Sequence, residues 1–366
     1  MMFVGAGMSK AFGVKTMPEL YEEVKSRIGK EPDTEPLELI KKIEQELVFF
    51  YDSDEIDIEA VFSVLNGYSD VKSSVRDAGP FSAYLIAHSI VKTGAEIIDD
   101  IFVTDREKSM AGQLVEMVKK VISEECLKID PAKVKKIYGG LFDVIPFDGP
   151  RLQLSNPDVR NQGQERSVLA NSVIATTNYD LAVETYFRGM RQRLNDGFAF
   201  MEFDQLYYFS PPQIRAGMPL KLIKLHGSIN WFLQEDGEIV QRIEEPSGRE
   251  FFEQQKLAGK MMIYPMKEKY VSRDPFASLF GAFRKVLFDS DVKISIGYSF
   301  RDQAVNNAFS DAAKANPRFM LIIIDPAAEK ISERVGVPSS KCVLIPYKIE
   351  DPRALEALKD LCEPFR

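Results

Sequence analysis

The second half of the chain alternates short apolar runs with segments of helical spacing, and this alternation limits the possible folds more than any other feature. The apolar runs are VIATT, LKLIKL, KMMIYP, VKISI, MLIII and CVLIPY. Runs that lack polar alternation are typical of parallel strands whose two faces are both covered by helices. The sequence therefore predicts an α/β fold with a Rossmann-like parallel sheet, which the amino-terminal run MMFV also joins.

Residues 17–145 follow a different pattern and predict a block of helices. Apolar residues recur there at three- and four-residue spacing, often with Asp or Pro near the start of a segment. The segment around His88 contains a lysine and a glutamate, so it predicts a buried helix rather than a membrane span. The polar stretch 156–167 predicts a loop. We expect two domains: a sheet domain formed by residues 1–16 and 168–366, and a helical insertion lobe at residues 17–167.

Charge and cysteine content exclude several kinds of site. The formal net charge of −8 argues against a direct nucleic-acid partner, because such surfaces need clustered Lys and Arg. The chain has two histidines and three scattered cysteines, Cys126, Cys342 and Cys362, from which no structural zinc site can be assembled locally. Scattered cysteines are typical of a reducing compartment. With no predicted signal peptide or membrane span, we expect a cytoplasmic protein.

Small or polar residues follow five of the predicted strands. These strand ends are residues 5–9, 178–180, 226–228, 297–302 and 325. In open α/β sheets, ligands bind at the carboxyl ends of the strands, so five such ends together predict a binding site. Taken singly, Asp180 could be a helix cap and His226 a buried structural histidine.

The first strand end contains Gly5, Ala6 and Gly7, which would let a phosphate group approach the backbone at the start of a helix. Lys10 stands where the dinucleotide fingerprint requires its third glycine. The loop therefore predicts a nucleotide ligand but argues against a hydride-transferring dehydrogenase. Asp325 could accept hydrogen bonds from ribose hydroxyls, although an Asp before a proline is also common in turns.

In this order, the motifs GAGMS, TNYD, LHGS and IGYSFRD resemble the sirtuin superfamily, and more narrowly the sirtuin-like NAD-consuming proteins of bacterial anti-phage defence. Residues 5–9 are similar to the Gly-Ala-Gly-x-Ser loop, and Gly297 with Ser299 approximates the Gly-Ser loop. Asn178 and Asp180 match the Gln-Asn-x-Asp motif with Thr177 in place of Gln, and residues 226–227 match His-Gly. The resemblance covers the first 20 residues and residues 171–347. It departs from deacylating sirtuins because no cysteine pairs form a zinc ribbon.

The resemblance implies that NAD is the substrate and that water is the acceptor, giving nicotinamide and ADP-ribose. It implies catalytic roles for Asn178, whose amide has donors and an acceptor, and for His226, a natural general base near neutral pH. The NAD-binding residues that it implies are Gly5, Ala6, Gly7, Ser9, Phe12, Asp180, Gly227, Gly297, Ser299 and Asp325.

The resemblance also implies a homo-oligomer and a partner, because stand-alone chains of this defence group often pair with a HerA-type hexameric ATPase. The helical lobe is a candidate surface for those contacts, or an ordinary lid on the sheet. Two other functions stay open: an NAD-dependent protein deacylase, and a regulatory subunit that binds NAD or ADP-ribose without turnover.

Overall fold

A computed structural model describes most of the chain. The described residues are 1–30, 32, 34–48, 58–70, 105–145, 152–154, 167–168, 173–191, 194–202, 206–210, 221–234, 240–242, 257–263 and 274–364. The predicted helix around His88 and the predicted loop at 156–166 lie outside these ranges.

Strands and helices alternate along the carboxy-terminal part of the chain, as the sequence predicts. The strands of the described ranges are β1 (Met2–Val4), β2 (Leu152–Leu154), β3 (Ser167–Val168), β4 (Ile174–Thr176), β5 (Phe198–Met201), β6 (Leu206–Phe209), β7 (Leu222–Lys224), β8 (Gly227–Gln234), β9 (Val240–Arg242), β10 (Leu257–Met262), β11 (Val292–Ile296), β12 (Met320–Ile324), β13 (Cys342–Ile345) and β14 (Cys362–Pro364). The helices are α1 (Ala6–Ala11), α2 (Met17–Ile28), α3 (Glu35–Leu47), α4 (Ile58–Asp70), α5 (Asp105–Cys126), α6 (Pro131–Val144), α7 (Ala182–Gly189), α8 (Phe276–Asp289), α9 (Gln303–Ala315), α10 (Ala328–Arg334) and α11 (Pro352–Leu361).

Six parallel strands form the central sheet, in the order β13-β12-β11-β1-β4-β7. The predicted α/β Rossmann-like fold is thereby confirmed, including the place of the amino-terminal run within the sheet. From β1 the chain proceeds outward to β4 and β7, and it then crosses to β11 on the other side of β1. The strand order therefore reverses between β1 and β11, the position where ligands bind in open α/β sheets.

Apolar clusters cover both faces of this sheet, which explains why most residues of its strands are apolar. Successive residues of a strand point to opposite faces, so Ile323 joins one cluster and Ile322 the other. The first cluster includes Phe283 of α8 and Phe309 of α9, and the second includes Tyr138 of α6. The inner strands β12, β11, β1 and β4 are thus held by burial on two sides.

One predicted strand belongs to a different sheet. The segment KMMIYP contributes to β10, which pairs antiparallel with β8 in a five-stranded sheet of order β10-β8-β9-β6-β5. Its assignment to the parallel sheet is wrong, because an apolar run of this length satisfies either kind of pairing. A third, three-stranded sheet has the order β14-β2-β3.

The chain divides into two compact units, one comprising Met1–Val14, Lys128–Met262 and Val271–Arg366, the other Lys15–Leu127 and Ile263–Tyr270. The predicted boundary of the helical lobe at residue 167 differs from this division. Helix α6 lies in the first unit because its apolar side chains pack into the core of the sheet. None of the helices in the described ranges is long and apolar enough to cross a lipid bilayer.

The second unit is built from α2 to α5. Thr16 and Glu19 form a reciprocal capping box at the start of α2, with the backbone N–H of Thr16 donating to Glu19 at 2.9 Å. Arg27 of α2 donates to Glu23 at 2.8 Å and to Glu124 of α5 at 2.6 Å, so charged groups also join these helices.

Candidate functional site

The loops after β1 and β11 meet at the point where the strand order reverses. The N–H of Gly7 donates to the carbonyl of Gly297 at 2.8 Å. A Cβ atom on Gly7 would lie 2.7 Å from the Cα of Gly297, and one on Gly5 would lie 2.6 Å from the Cα of Tyr298. Gly297 itself has a φ of +59°, which favours glycine. These three glycines are therefore needed for the approach of the two loops, whether or not a phosphate binds there.

Hydrogen bonds from the Asn178 side chain connect the loop after β4 to the loop after β1. Its Nδ2 donates to the carbonyl of Gly5 and to the Oγ of Ser9, both at 2.8 Å. Its backbone N–H donates to the Oγ1 of Thr176 at 2.9 Å. Because the amide donors contact the protein, Oδ1 is the atom of this side chain that can accept a hydrogen bond from water or a ribose hydroxyl.

Asp180 and Ser9 form the buried end of the same network. The hydroxyl of Ser9 donates to the Asp180 carboxylate, whose other oxygen accepts from the N–H of Ala182 at 2.9 Å. Burial raises the pKa of Asp180, whereas the nearby Lys224 ammonium and the Ser9 hydroxyl lower it. Ser9 is one of the predicted NAD-binding residues. In the structure it lies between Asn178 and Asp180 and is itself buried.

Lys224, at the end of β7, joins two strand ends. Its side chain is 2% exposed, and its Nζ donates to the Asp180 carbonyl at 2.5 Å, to the Oγ of Ser228 at 2.7 Å and to Glu184 at 3.0 Å. The first and last of these acceptors follow β4, and Ser228 lies in β8 just beyond His226. One ammonium group therefore holds the Asn178 loop against the His226 turn.

We expect Lys224→Met to destabilise the protein by about 3–5 kcal/mol, because it leaves the Glu184 charge buried without its partner. Urea unfolding followed by circular dichroism measures the change. The matched control is Lys285→Met, since Lys285 is 81% exposed and lies 3.9 Å from Asp289. That variant should stay within about 0.5 kcal/mol of the wild type. Equal unfolding midpoints for the two variants would contradict the role given to Lys224.

His226 lies at the strand end next to Asn178. The strands β4 and β7 are neighbours, and Thr176 pairs with Lys224. Asn178 lies two residues after Thr176, and His226 lies two residues after Lys224. The two residues therefore stand at equivalent positions beyond the ends of their strands. The Nε2 of His226 lies 3.3 Å from the Oδ2 of Asp302, and both side chains are about 10% exposed.

Gly227, after His226, has a φ of +82°, and a Cβ there would lie 2.2 Å from the carbonyl oxygen of Met261. Gly227 pairs with Met262 at the start of β8. The packing of β8 on β10 thus requires a glycine here. The predicted NAD-binding role of Gly227 is therefore not needed to explain why a glycine stands here.

The remaining predicted residues differ in exposure. Phe12 is 1% exposed and its ring lies 5.5 Å from that of Tyr138, so the apolar core accounts for it without a ligand. Ser299 is exposed, and its carbonyl accepts from Arg334 at 2.6 Å. Asp325 is half-buried after β12, where its carboxylate accepts from the N–H of Ala327 at 2.8 Å. Burial raises the pKa of Asp325, and this backbone hydrogen bond lowers it. Ala6 is the first residue of α1, which is six residues long.

Comparison with known proteins identifies the part of the chain that carries most of this site. Residues 172–336 match the family model of the SIR2-like domain. This segment is sirtuin-like. The matched SIR2-like domain includes Asn178, Asp180, His226, Gly297 and Asp325, while the GAGMS loop precedes it. Proteins with a SIR2-like domain are typically NAD-dependent enzymes, and such domains bind NAD. No curated protein matches the chain.

Two residues that make contacts at the candidate site, Lys224 and Asp302, are not among the predicted site residues. Lys224 stands in the apolar run LKLIKL. A lysine within a buried strand is almost always paired, so this residue could have been predicted to make an internal contact. The sequence places Asp302 at a strand end, but nothing in the sequence pairs it with His226. Among the described residues, no group of three or more His, Cys, Asp or Glu side chains is placed to hold a metal ion.

Proposed function

We propose that this protein hydrolyses NAD to nicotinamide and ADP-ribose and that it acts in the cytoplasm as an anti-phage defence enzyme. One observation carries the proposal: Asn178 and His226 stand at equivalent positions on adjacent parallel strands. They lie at the same edge of the sheet as the close contact between the Gly7 and Gly297 loops. This pairing of an amide with an imidazole, in a SIR2-like domain, suits the attack of water on a ribose carbon.

The proposed reaction breaks the bond between C1′ of the ribose and the nicotinamide nitrogen, and the bonding electron pair leaves with nicotinamide. Positive charge develops on the ribose, as in the cleavage of glycosidic bonds. The oxygen of a water molecule bonds to C1′, and His226 accepts the proton that this water loses. In this scheme the Oδ1 of Asn178 orients the water or a ribose hydroxyl. Asp180 is buried and bound to Ser9, so its role is to hold Asn178 in place.

Incubation of the purified protein with NAD tests the proposal, with nicotinamide and ADP-ribose separated by liquid chromatography. We expect both products in equal amounts without any peptide. A protein deacylase would instead release nicotinamide only when an acetyl-lysine peptide is added, and would form O-acetyl-ADP-ribose. A regulatory subunit would bind NAD or ADP-ribose in a calorimeter without releasing nicotinamide in any assembly state.

We further propose that assembly controls the activity, since an uncontrolled NAD hydrolase would exhaust the NAD of its own cell. The proposed assembly is a homo-oligomer bound to a HerA-type hexameric ATPase, and the support for it is the resemblance to defence proteins. Size-exclusion chromatography with light scattering, with and without that ATPase, tests it. The NAD assay repeated on each fraction shows which assembly state is active, and identical specific activity in all states would contradict control by assembly.

A further inference from the structure

The loop between β11 and α9 carries an unusual backbone conformation. Besides Gly297, Phe300 has a positive φ of +52°. A bulky residue rarely adopts this region, because its Cβ comes too close to the backbone carbonyl oxygen. Such a conformation persists where the surrounding structure holds it, and it is frequent at functional sites.

Packing and one hydrogen bond hold Phe300 in this conformation. Its side chain is 0% exposed, and its ring packs edge-on against Tyr298 at 4.8 Å and Phe309 at 5.0 Å. Its carbonyl accepts a hydrogen bond from the Nδ2 of Asn306 at 2.7 Å. The core of the sheet domain therefore fixes the course of the chain just before Asp302.

The two carboxylate oxygens of Asp302 have different partners. Oδ1 caps α9 by accepting from the N–H groups of Ala304 and Val305, at 2.9 and 3.2 Å. Oδ2 faces the Nε2 of His226 at 3.3 Å. A helix cap needs only one of these oxygens. The capping role therefore accounts for Oδ1 and leaves the contact with His226 to be explained.

We propose that Asp302 is a positioning residue for His226. Its carboxylate accepts a hydrogen bond from Nε2–H, which fixes the orientation of the ring and keeps the proton of the neutral imidazole on Nε2. The lone pair then stands on Nδ1, which accepts the proton of the attacking water. The carboxylate also stabilises the imidazolium that forms, while Nε2–H stays bonded to Oδ2 throughout. This inference rests on the proposed hydrolysis of NAD and adds a residue to its machinery.

Asp302→Asn is the variant that separates this role from capping. Asparagine caps helices about as well as aspartate, so α9 should keep its stability. The amide removes the charge and can offer an N–H to the imidazole, which would favour the tautomer with its proton on Nδ1. We expect kcat for NAD hydrolysis to fall about a hundredfold or more with little change in KM, since loss of an orienting carboxylate has an effect of this kind in other histidine bases.

Asp130→Asn is the matched control. Asp130 caps α6 and, like Asp302, accepts from two backbone N–H groups, those of Ala132 and Lys133. The control variant should keep the wild-type kcat, KM and melting temperature. If Asp302→Asn and Asp130→Asn have the same kcat, the proposal is overturned.

Nitrogen-15 NMR of histidine-labelled protein gives a readout that does not depend on activity. The chain has only two histidines, so the spectrum of His226→Ala identifies the signals of His226. In the wild type at alkaline pH we expect the protonated nitrogen to be Nε2, and in Asp302→Asn we expect this signature to be lost. A wild-type His226 with its proton on Nδ1 would overturn the proposal even if the Asn variant failed to fold.

The two proposals fail in distinguishable ways. A wild-type protein that shows the Nε2–H tautomer but cleaves no NAD in any assembly state would remove the proposed function and keep the pairing of Asp302 with His226. A wild-type protein that cleaves NAD, together with an equally active Asp302→Asn variant, would keep the function and remove the positioning role.

Discussion

The His226→Ala variant is expected to lose about a thousandfold or more in the rate of NAD cleavage, because a positioned general base contributes about 10²–10⁴-fold. Nicotinamide release under saturating NAD measures the loss. The variant should keep the wild-type far-ultraviolet circular dichroism spectrum. A variant that cleaves NAD at the wild-type rate would contradict the assignment of the base.

Asn178→Ala should lower the rate to a similar extent, since it removes the oxygen that orients the water or ribose. It also removes the hydrogen bonds to Gly5 and Ser9, so a stability loss of about 1–2 kcal/mol is expected alongside. Rates are therefore normalised to the folded fraction. The matched control is Asn307→Ala, because Asn307 is exposed on α9 and its side-chain oxygen accepts from its helical neighbour Gln303. The control should cleave NAD like the wild type.

Gly227→Ala is expected to destabilise the protein by about 2–4 kcal/mol or more, because a side chain there combines a strained φ with a direct clash. The added Cβ would meet the Met261 carbonyl at 2.2 Å, so β8 and β10 would have to separate. Urea unfolding measures the change. The result matters for function because Gly227 follows His226, and a displaced β8 would move the imidazole with it.

Gly281→Ala is the control for this comparison. Gly281 lies on the exposed side of α8, and an added Cβ would meet nothing within 4 Å. Alanine in a helix interior is favoured over glycine by about 0.5–1 kcal/mol, so this variant should be slightly more stable than the wild type. An unfolding midpoint for Gly227→Ala equal to that of Gly281→Ala would contradict the packing argument.

The fold could be predicted largely from the sequence because burial leaves a local signature. Strands covered on both faces consist mainly of apolar residues, and this holds for the central sheet although Thr176, Lys224, Lys293 and Ser295 lie in its strands. The identity of the pairing strand leaves no such signature, so the apolar run KMMIYP does not distinguish a strand of the parallel sheet from the antiparallel strand β10. The strand ends were also predictable, since parallel strands of one sheet bring their carboxyl ends to one edge.

The contacts within the site could not be predicted in the same way. The residue types at 178, 180 and 226 pointed to chemistry, but their hydrogen bonds depend on distances that sequence spacing does not give. Ser9 is the clearest case: its place in a glycine loop suggests a ligand contact, yet its hydroxyl bonds two protein side chains. Lys224 and Asp302 contact the site residues because neighbouring strands bring their ends together, and this proximity is a property of the folded sheet.

The aromatic packing around Phe300 has a consequence for variation in this chain. The ring of Phe309 packs against the ring of Phe300 and so supports the backbone that delivers Asp302 to His226. Phe309→Leu replaces one buried apolar side chain with another, so side-chain chemistry alone would predict a mild effect. We expect the variant to keep a nearly intact fold but to cleave NAD more slowly than the wild type. Natural substitutions of core residues should therefore be tested for turnover as well as for stability.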